Sequence, residues 1–532
     1  MPSIQLVMDA NERVIGIGDD TVEAARQAAR ATSEADRAET NASAFAIENA
    51  YEGGFEIVDG DDNALCEITT EAIRHPQIDA HEEALESIPP TSEVEDYVSG
   101  YAIKDEDDNV LIDITPTDIR HPAIDALRNA AAPVARSANA FAILGDSRMA
   151  SMYADGAKQY KTTWSFFNFA NALLGQRMEV AGNYAVAGQR SDEYLSTANV
   201  DAALATNAGW FLIFGVVNDI AQLSYEPFTT TIKPTCERII AAGGKVILCT
   251  EPGATNFNGA NGAAQRAAVE RYNQQLRQFA RNNPGVLLFD LAAVTVSPTS
   301  TGPVAFPSGY SGDGVHYYTA ACHAQGVAFA DLMRPLVPAQ SQLIASAMES
   351  FANGGVNYLP NPLFLTASGG TAGGGVTGTV PSGFTAQCDT GITATASVAA
   401  STVGNEVVLQ INATQAGQVR LFADMSSDLP GDVFAGMAEI AIDAGHSNLA
   451  TAWLRLESQR AGVATPAFDL YSDTSHGVLP AGAHTFTART EELEIATGTR
   501  GYFNWNVRAQ FVGAGSATIR IRRASARKQV SI

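Results

Sequence analysis

The chain has 532 residues, 46% of them hydrophobic, and a formal net charge of −25; at about 150 residues per domain this predicts three or four domains with real cores. The acidity is concentrated at the front, where residues 1–130 hold 30 Asp and Glu against 8 Lys and Arg. That segment reads as a solvated stem and excludes nucleic acid and anionic membrane surfaces as natural partners.

Five cysteines (Cys66, Cys236, Cys249, Cys322 and Cys388) show no metal-type or paired spacing. They predict buried free thiols, no metal site, and assembly in a reducing cytoplasm. The longest apolar runs, such as Trp210–Phe214, are too short to cross a bilayer. Membrane insertion is not expected, and the Met-Pro-Ser-Ile-Gln start lacks the pattern of a secretory signal.

In chain order, residues 4–18 read as a hairpin around a polar turn, and residues 21–50 as a thin Ala-rich helical stem with few large apolar side chains to bury. An internal repeat follows. Phe55–Ala80 aligns without gaps to Tyr101–Ala126, with 15 of 26 positions identical. Its alternation about an Asp/Asn turn predicts acidic β-hairpins over 51–136. Asp59, Asp61 and Asn63, and likewise Asp105, Asp107 and Asn109, resemble the start of a calcium loop. Both sets lack the Gly and Glu such a loop needs, so turn chemistry accounts for them. His75 and His121 each precede a proline in the repeated frame and read as parts of a structural turn.

Residues 137–340 have the strand/helix rhythm of an α/β domain. The expected strands are Phe141–Leu144, Tyr184–Ala187, Trp210–Phe214, Lys245–Cys249 and Val286–Leu291, with a helix over Ala263–Arg281 and a last helix from His316 to about Met333. A Gly-rich connector spans 341–384. Alternating segments between 385 and 532, namely Glu406–Ile411, Val419–Phe422, Glu439–Ile442, Ala452–Leu456, Thr485–Thr490 and Thr518–Ile521, predict a jelly-roll-like β-sandwich ending in a basic tail, Arg520 to Lys528.

Four short segments carry the chemistry: Gly145-Asp146-Ser147, Gly188, Gly215-Val216-Val217-Asn218-Asp219 and Asp313-Gly314-Val315-His316. A serine hydroxyl needs a base to become a nucleophile. His316 can serve Ser147, and Asp313 can orient His316. The N–H groups of Ser147 and Gly188, with the Asn218 side chain, can form an oxyanion hole. The first three segments follow predicted strands, the end of an open α/β sheet where sites form. Any one segment is weak evidence; the ordered set is not. Tyr310 and Tyr317, with Trp164 and Trp210, are candidate sugar-stacking residues whose commoner role is packing.

These segments resemble blocks I, II, III and V of the SGNH, or GDSL-type, hydrolase superfamily, with one extra residue between Gly215 and Asn218. The resemblance covers about 200 residues and implies a flavodoxin-like three-layer fold, a shallow serine-esterase site, no cofactor, and acyl esters of sugars or lipids as substrates. The flanking modules resemble a bacteriophage tail spike or tail fibre. That second resemblance implies a homotrimer in the virion, attached to other tail proteins through its N-terminal region and removing O-acetyl groups from a host-surface polysaccharide. Two alternatives stay open: a bacterial extracellular esterase or lipase acting on plant polysaccharide or lipid, and a glycan-binding adhesin without turnover.

Overall fold

The computed structural model describes residues 136–529 apart from 155–159, 224–225, 258, 300–303, 340–342 and 426–427, together with the backbone of the strands between residues 6 and 120. The chain divides into two compact units, Met1–Ala132 and Pro133–Ile532.

In the first unit the repeat is visible as backbone register. Gly54–Val58 and Ala64–Thr69 pair antiparallel with Phe55 opposite Ile68. Gly100–Lys104 and Val110–Thr115 pair with Tyr101 opposite Ile114, the equivalent positions. Each hairpin lies within a four-stranded antiparallel sheet, and Leu6–Met8 pairs with Val14–Ile17. The expected stem over 21–50 is corrected at its end, because Ala46–Tyr51 is a strand paired with Gly54–Val58. The rest of that stem, the Asp/Asn turns, His75 and His121 lie outside the described residues.

In the second unit five strands form one parallel sheet. They are Ser137–Gly145, Glu179–Asn183, Ala208–Phe214, Lys245–Cys249 and Val286–Phe289, and their spatial order is second, first, third, fourth, fifth. Buried on both faces, such strands are continuous apolar runs. Alternate residues feed opposite cores: Phe141, Ile143, Leu212 and Phe214 face one side, and Ala142, Leu144, Phe211 and Ile213 the other. Helices Phe166–Leu173 and Thr319–Met333 cover the first face; Thr197–Leu204, Lys233–Ala241 and Gly262–Asn282 cover the second. This is the three-layer, flavodoxin-like arrangement, whose strand order reverses between the first and third strands.

Two boundaries differ from the sequence reading. The second strand is Glu179–Asn183, not Tyr184–Ala187, which is irregular. Tyr184 and Val186 donate their N–H groups to Ile143 O and Gly145 O, but Val186 and Ala187 are exposed, so the apolar run is a loop leaving the sheet. The last helix starts at Thr319, leaving His316 in the preceding loop.

The C-terminal part is a sandwich of two sheets. One runs, in spatial order, Tyr160–Thr162, Val463–Tyr471, Leu449–Arg460, Arg500–Phe511, Gly417–Asp424, Thr385–Cys388, Thr371–Ala372. The other runs Val376–Gly378, Ile392–Ala400, Asn405–Ala413, Gly515–Lys528, Val433–Ile442, His484–Arg489, with Leu493–Glu494 also on Val433–Ile442. Phe384, Phe434, Phe503 and Trp505 pack between them.

The divisions drawn in sequence are crossed by hydrogen bonds. Tyr160–Thr162, from the α/β region, pairs with Val463–Tyr471 as an edge strand of the sandwich. The connector contributes an edge strand to each sheet. The basic tail is no tail but the long strand Gly515–Lys528, on which Arg520 pairs with Glu406 at 2.6 Å and Asp443 at 2.9 Å, and Arg522 with Glu406 at 2.6 Å and Glu439 at 3.0 Å. Cys236, Cys249, Cys322 and Cys388 are buried free thiols. No helix among the described residues is long and apolar enough to cross a membrane.

Candidate active site

Ser147 sits where the apolar strand Ser137–Gly145 turns directly into the short helix Ser147–Ala150. Asp146 caps that helix by accepting from the Arg148 N–H at 2.9 Å. The turn places Ser147 at the carboxyl end of the first strand, beside the reversal in strand order where ligands bind in open α/β sheets.

His316 reaches it from a loop that its own aspartate folds. Asp313 Oδ1 accepts the Val315 and His316 N–H groups at 2.8 Å each, and Ser311 Oγ donates to it at 3.2 Å. Asp313 Oδ2 is left for His316 Nδ1 at 2.6 Å. Burial opposes ionisation of Asp313, but the His316 side-chain bond, the two backbone bonds and the imidazole's charge prevail and lower its pKa to about 2. With the carboxylate ionised, Nδ1 must carry the hydrogen, so the lone pair is on Nε2. Nε2 lies 2.8 Å from Ser147 Oγ.

Two of the proposed oxyanion donors, Gly188 and Asn218, stand on neighbouring loops joined by a hydrogen bond. Gly188 is exposed and has a φ of +80°, a left-handed conformation that glycine adopts without steric cost. Asn218 opens the helix after the third strand, and its Nδ2 donates to Gln189 O at 2.9 Å. That bond fixes the amide and leaves its second N–H available. Asp219 secures the neighbouring loop by accepting from Ser191 N at 3.1 Å and Ser191 Oγ at 2.6 Å. Gly215 has a φ of +128°, and a Cβ there would meet Asp146 Cγ at 2.4 Å, so no other residue fits between these loops.

Beneath the serine lies a network the sequence reading missed. The buried Arg148 guanidinium binds Asp146 (Nη2–Oδ2, 2.7 Å) and both oxygens of Glu251 (2.8 Å each), and stacks 4.2 Å over Phe214. Burial works against its charge, but Asp146 and Glu251 outweigh it and hold the arginine pKa well above its ordinary value. Glu251 also accepts the Val216 and Gly253 N–H groups at 3.3 and 2.9 Å. One residue pair therefore ties together the loops after the first, third and fourth strands. A signal was available, since Glu251 is a lone charge just past the apolar run Val246–Cys249.

The aromatic candidates separate. Tyr317 is buried, its hydroxyl 3.4 Å from Arg148 and its ring edge-on to Phe306, so it is part of the floor and presents no stacking face. Trp210 is also core, stacked on Phe141 and bonded to Ala138 O. Tyr310 is partly buried against the core. Trp164 is half-buried and stacks at 3.9 Å on His476, a residue of the sandwich loop whose carbonyl accepts from Thr319 N at 2.9 Å.

A parallel 2-1-3-4-5 sheet with a serine–histidine–aspartate relay at its switch point defines the class of serine acylhydrolases. Residues 143–324 match the model of the GDSL-like Lipase/Acylhydrolase family, so an acylhydrolase domain of the GDSL type occupies that stretch. Among solved structures the chain is similar to a GDSL-like lipase from Bacteroides thetaiotaomicron, with 18% identity, 40% of this chain and 96% of that one covered, and a TM-score of 0.29. It is also similar to the enzymatically active domain of tailspike protein 4 of bacteriophage CBA120, with 12% identity, 33% and 22% covered, and a TM-score of 0.24. A third similarity is to the carbohydrate-binding module TmCBM61 in complex with β-1,4-galactotriose, with 13% identity, 32% and 99% covered, and a TM-score of 0.20. No curated protein matches.

Proposed function

We propose that the protein is a serine esterase that removes O-acetyl groups from a surface polysaccharide. The observation carrying this reading is the unbroken relay from Ser147 Oγ through His316 to Asp313, at 2.8 and 2.6 Å. Ser147 attacks the ester carbonyl carbon while His316 Nε2 takes the hydroxyl proton. The charge that develops on the carbonyl oxygen is met by the N–H groups of Ser147 and Gly188 and by Asn218. The tetrahedral intermediate collapses, breaking the ester C–O bond, and His316 returns its proton to the departing sugar hydroxyl. Water, deprotonated by His316, then cleaves the acetyl-serine and releases acetate. Asp313 stays ionised throughout and stabilises the imidazolium.

A polymeric substrate is supported by exposure. The side chains of His316 and Asp313 are 50% and 55% exposed, so an ester carried on a bulky chain can approach them. The duplicated acidic hairpins before the enzyme and the sandwich after it support a place in a phage tail, as a homotrimer attached through its N-terminal region.

The test is release of acetate, followed by NMR, from O-acetylated capsular or O-antigen polysaccharide, with p-nitrophenyl acetate as a general substrate. Both activities are expected to vanish in Ser147→Ala and His316→Ala. Activity surviving both substitutions defeats the assignment. A monomeric mass by light scattering at micromolar concentration removes the trimer.

A further inference from the structure

The sandwich carries a charged groove that the ester chemistry does not use. On the three central strands of its first sheet, alternate residues point away from the core: Arg420 and Phe422; Arg455 and Glu457; Tyr502, Asn504, Asn506 and Arg508. Their neighbours Leu421, Leu456, Trp505 and Val507 are buried between the sheets. The outward residues line a groove of about 340 Å³, within the size range of saccharide-sized ligand sites.

Its charge is unbalanced. Arg420 and Arg508 stand directly opposite one another across paired strands, an arrangement that destabilises a sheet when nothing neutralises it. The groove holds one carboxylate, Glu457, and that group is engaged by Arg455 and by the Tyr502 hydroxyl. Arg420 and Arg508 donate only to neutral amide oxygens: Arg420 to Gln387 at 2.7 Å, and Arg508 to Asn506 at 2.7 Å and Gln418 at 3.0 Å. Arg455 Nε is buried without a partner. Burial first, then the charges of Arg455 and Arg420, depress the Arg508 guanidinium to about 10, against the smaller opposing pull of Glu457 and of Asp389 outside the groove. In a chain of net charge −25, three guanidiniums sharing one carboxylate leave a place for an anion. Planar guanidiniums recognise a carboxylate bidentately.

We propose that this groove binds the carboxylates of an acidic polysaccharide, holding a uronate-bearing chain against the sandwich. The groove's first strand lies two strand spacings, roughly 10 Å, from Tyr160–Thr162. Thr162 in turn donates to Ser151 O at 2.7 Å and Met152 O at 3.1 Å, just after Ser147. A chain held there lies on a sheet whose edge strand is hydrogen-bonded to the turn that follows the Ser147 helix. The link to catalysis rests on the polysaccharide reading above; the binding itself does not.

The test uses the full chain carrying Ser147→Ala, so that no probe is consumed. Calorimetry at low salt compares an oligogalacturonate hexamer, its fully methyl-esterified form, and a single-stranded DNA oligomer. The free-acid hexamer is expected to bind at least about ten-fold more tightly than either, since only its carboxylates can make charge-assisted bonds in the groove's geometry. Arg508→Gln and, separately, Arg420→Gln are each expected to weaken it about ten-fold or more. The Arg420→Gln variant decides the matter should Arg508→Gln fail to fold. Equal binding of acid and ester, equal binding of DNA, or unchanged affinity in a folded Arg420→Gln overturns the proposal. Wild-type turnover of p-nitrophenyl acetate, measured in parallel, separates the two readings. Acid-selective binding without turnover removes the esterase and keeps the groove; turnover without acid selectivity does the reverse.

Discussion

Ser147 stands between two charge networks of opposite character. On one side, the Asp313–His316 pair is half-exposed and has a single hydrogen bond to the serine. On the other, Asp146, Arg148 and Glu251 are buried, and every contact made by Arg148 is internal. The exposed pair can exchange protons with substrate and water. The buried network cannot, because removing one charge in a low-dielectric interior leaves its partners unpaired. Proton transfer therefore falls to the wet side, and holding three loops in register falls to the dry side.

The sharpest division comes from substituting one residue on each side. Ser147→Ala is expected to lower kcat by about 10⁴–10⁶-fold with little change in unfolding midpoint, and His316→Ala by a similar factor. The double variant should be no worse than either single one, since the residues act as a unit; multiplying losses would break the comparison. Arg148→Met is expected to do the opposite, costing about 3–5 kcal/mol of stability through the two stranded carboxylates, read by denaturant unfolding. A stable Arg148→Met protein that has lost only activity would move Arg148 into the catalytic group.

Asn218→Ala tests the oxyanion side. It should reduce kcat about 10²–10³-fold while leaving KM nearly unchanged, because its bond strengthens only as charge develops. An effect confined to KM would reassign Asn218 to ground-state binding.

Smaller effects follow from pH. His323 is lowered from 6.5 to about 4, by burial first and then by His484, which packs against it at 4.5 Å where helix Thr319–Met333 meets the sandwich. Below pH 6.5 the unfolded chain takes up this proton and the folded chain does not, so stability should fall as pH drops from about 6.5 towards 4. Asp313 acts lower. Its carboxylate, held at about 2 against an ordinary 3.8, keeps its contribution until pH drops below about 4 and loses it towards 2. Thermal melts across this range check both: His323→Gln should shrink the upper step, the remainder coming from His446, which burial and then His484 also lower. The smallest change is Tyr317→Phe. It deletes a 3.4 Å contact to a guanidinium that already makes three short bonds to carboxylates, and should cost under about 1 kcal/mol.

The sandwich and the α/β region differ in how far local pattern reached. Apolar runs ending at Gly145, Gly215 and Cys249 marked three strands of the parallel sheet to within a few residues. Tyr184–Ala187 misled because its apolar side chains belong to a loop in which Val186 and Ala187 are exposed rather than to a buried strand. In the sandwich, Glu406–Ile411, Val419–Phe422 and Ala452–Leu456 were legible by alternation, whereas Thr385–Cys388, Val463–Tyr471 and Arg500–Phe511 were not. Thr385–Cys388 is only four residues long, and Ala467–Leu470 is buried without a break, which removes the alternation there; in Arg500–Phe511 the alternation exists, but its outward side chains are large and line a groove.

What the sequence determined by itself was short-range chemistry: the strand-to-helix turn at Ser147, and an aspartate three residues before a histidine, whose loop the chain closes on itself. What only tertiary structure decided was pairing across long separations. Glu251 meets Arg148 from 103 positions away. Tyr160 takes an edge place beside Phe468, and Arg420 comes to face Arg508. Local hydrogen bonds are specified by the few residues that make them, whereas strand order and buried ion pairs are set by the whole chain's competition for partners.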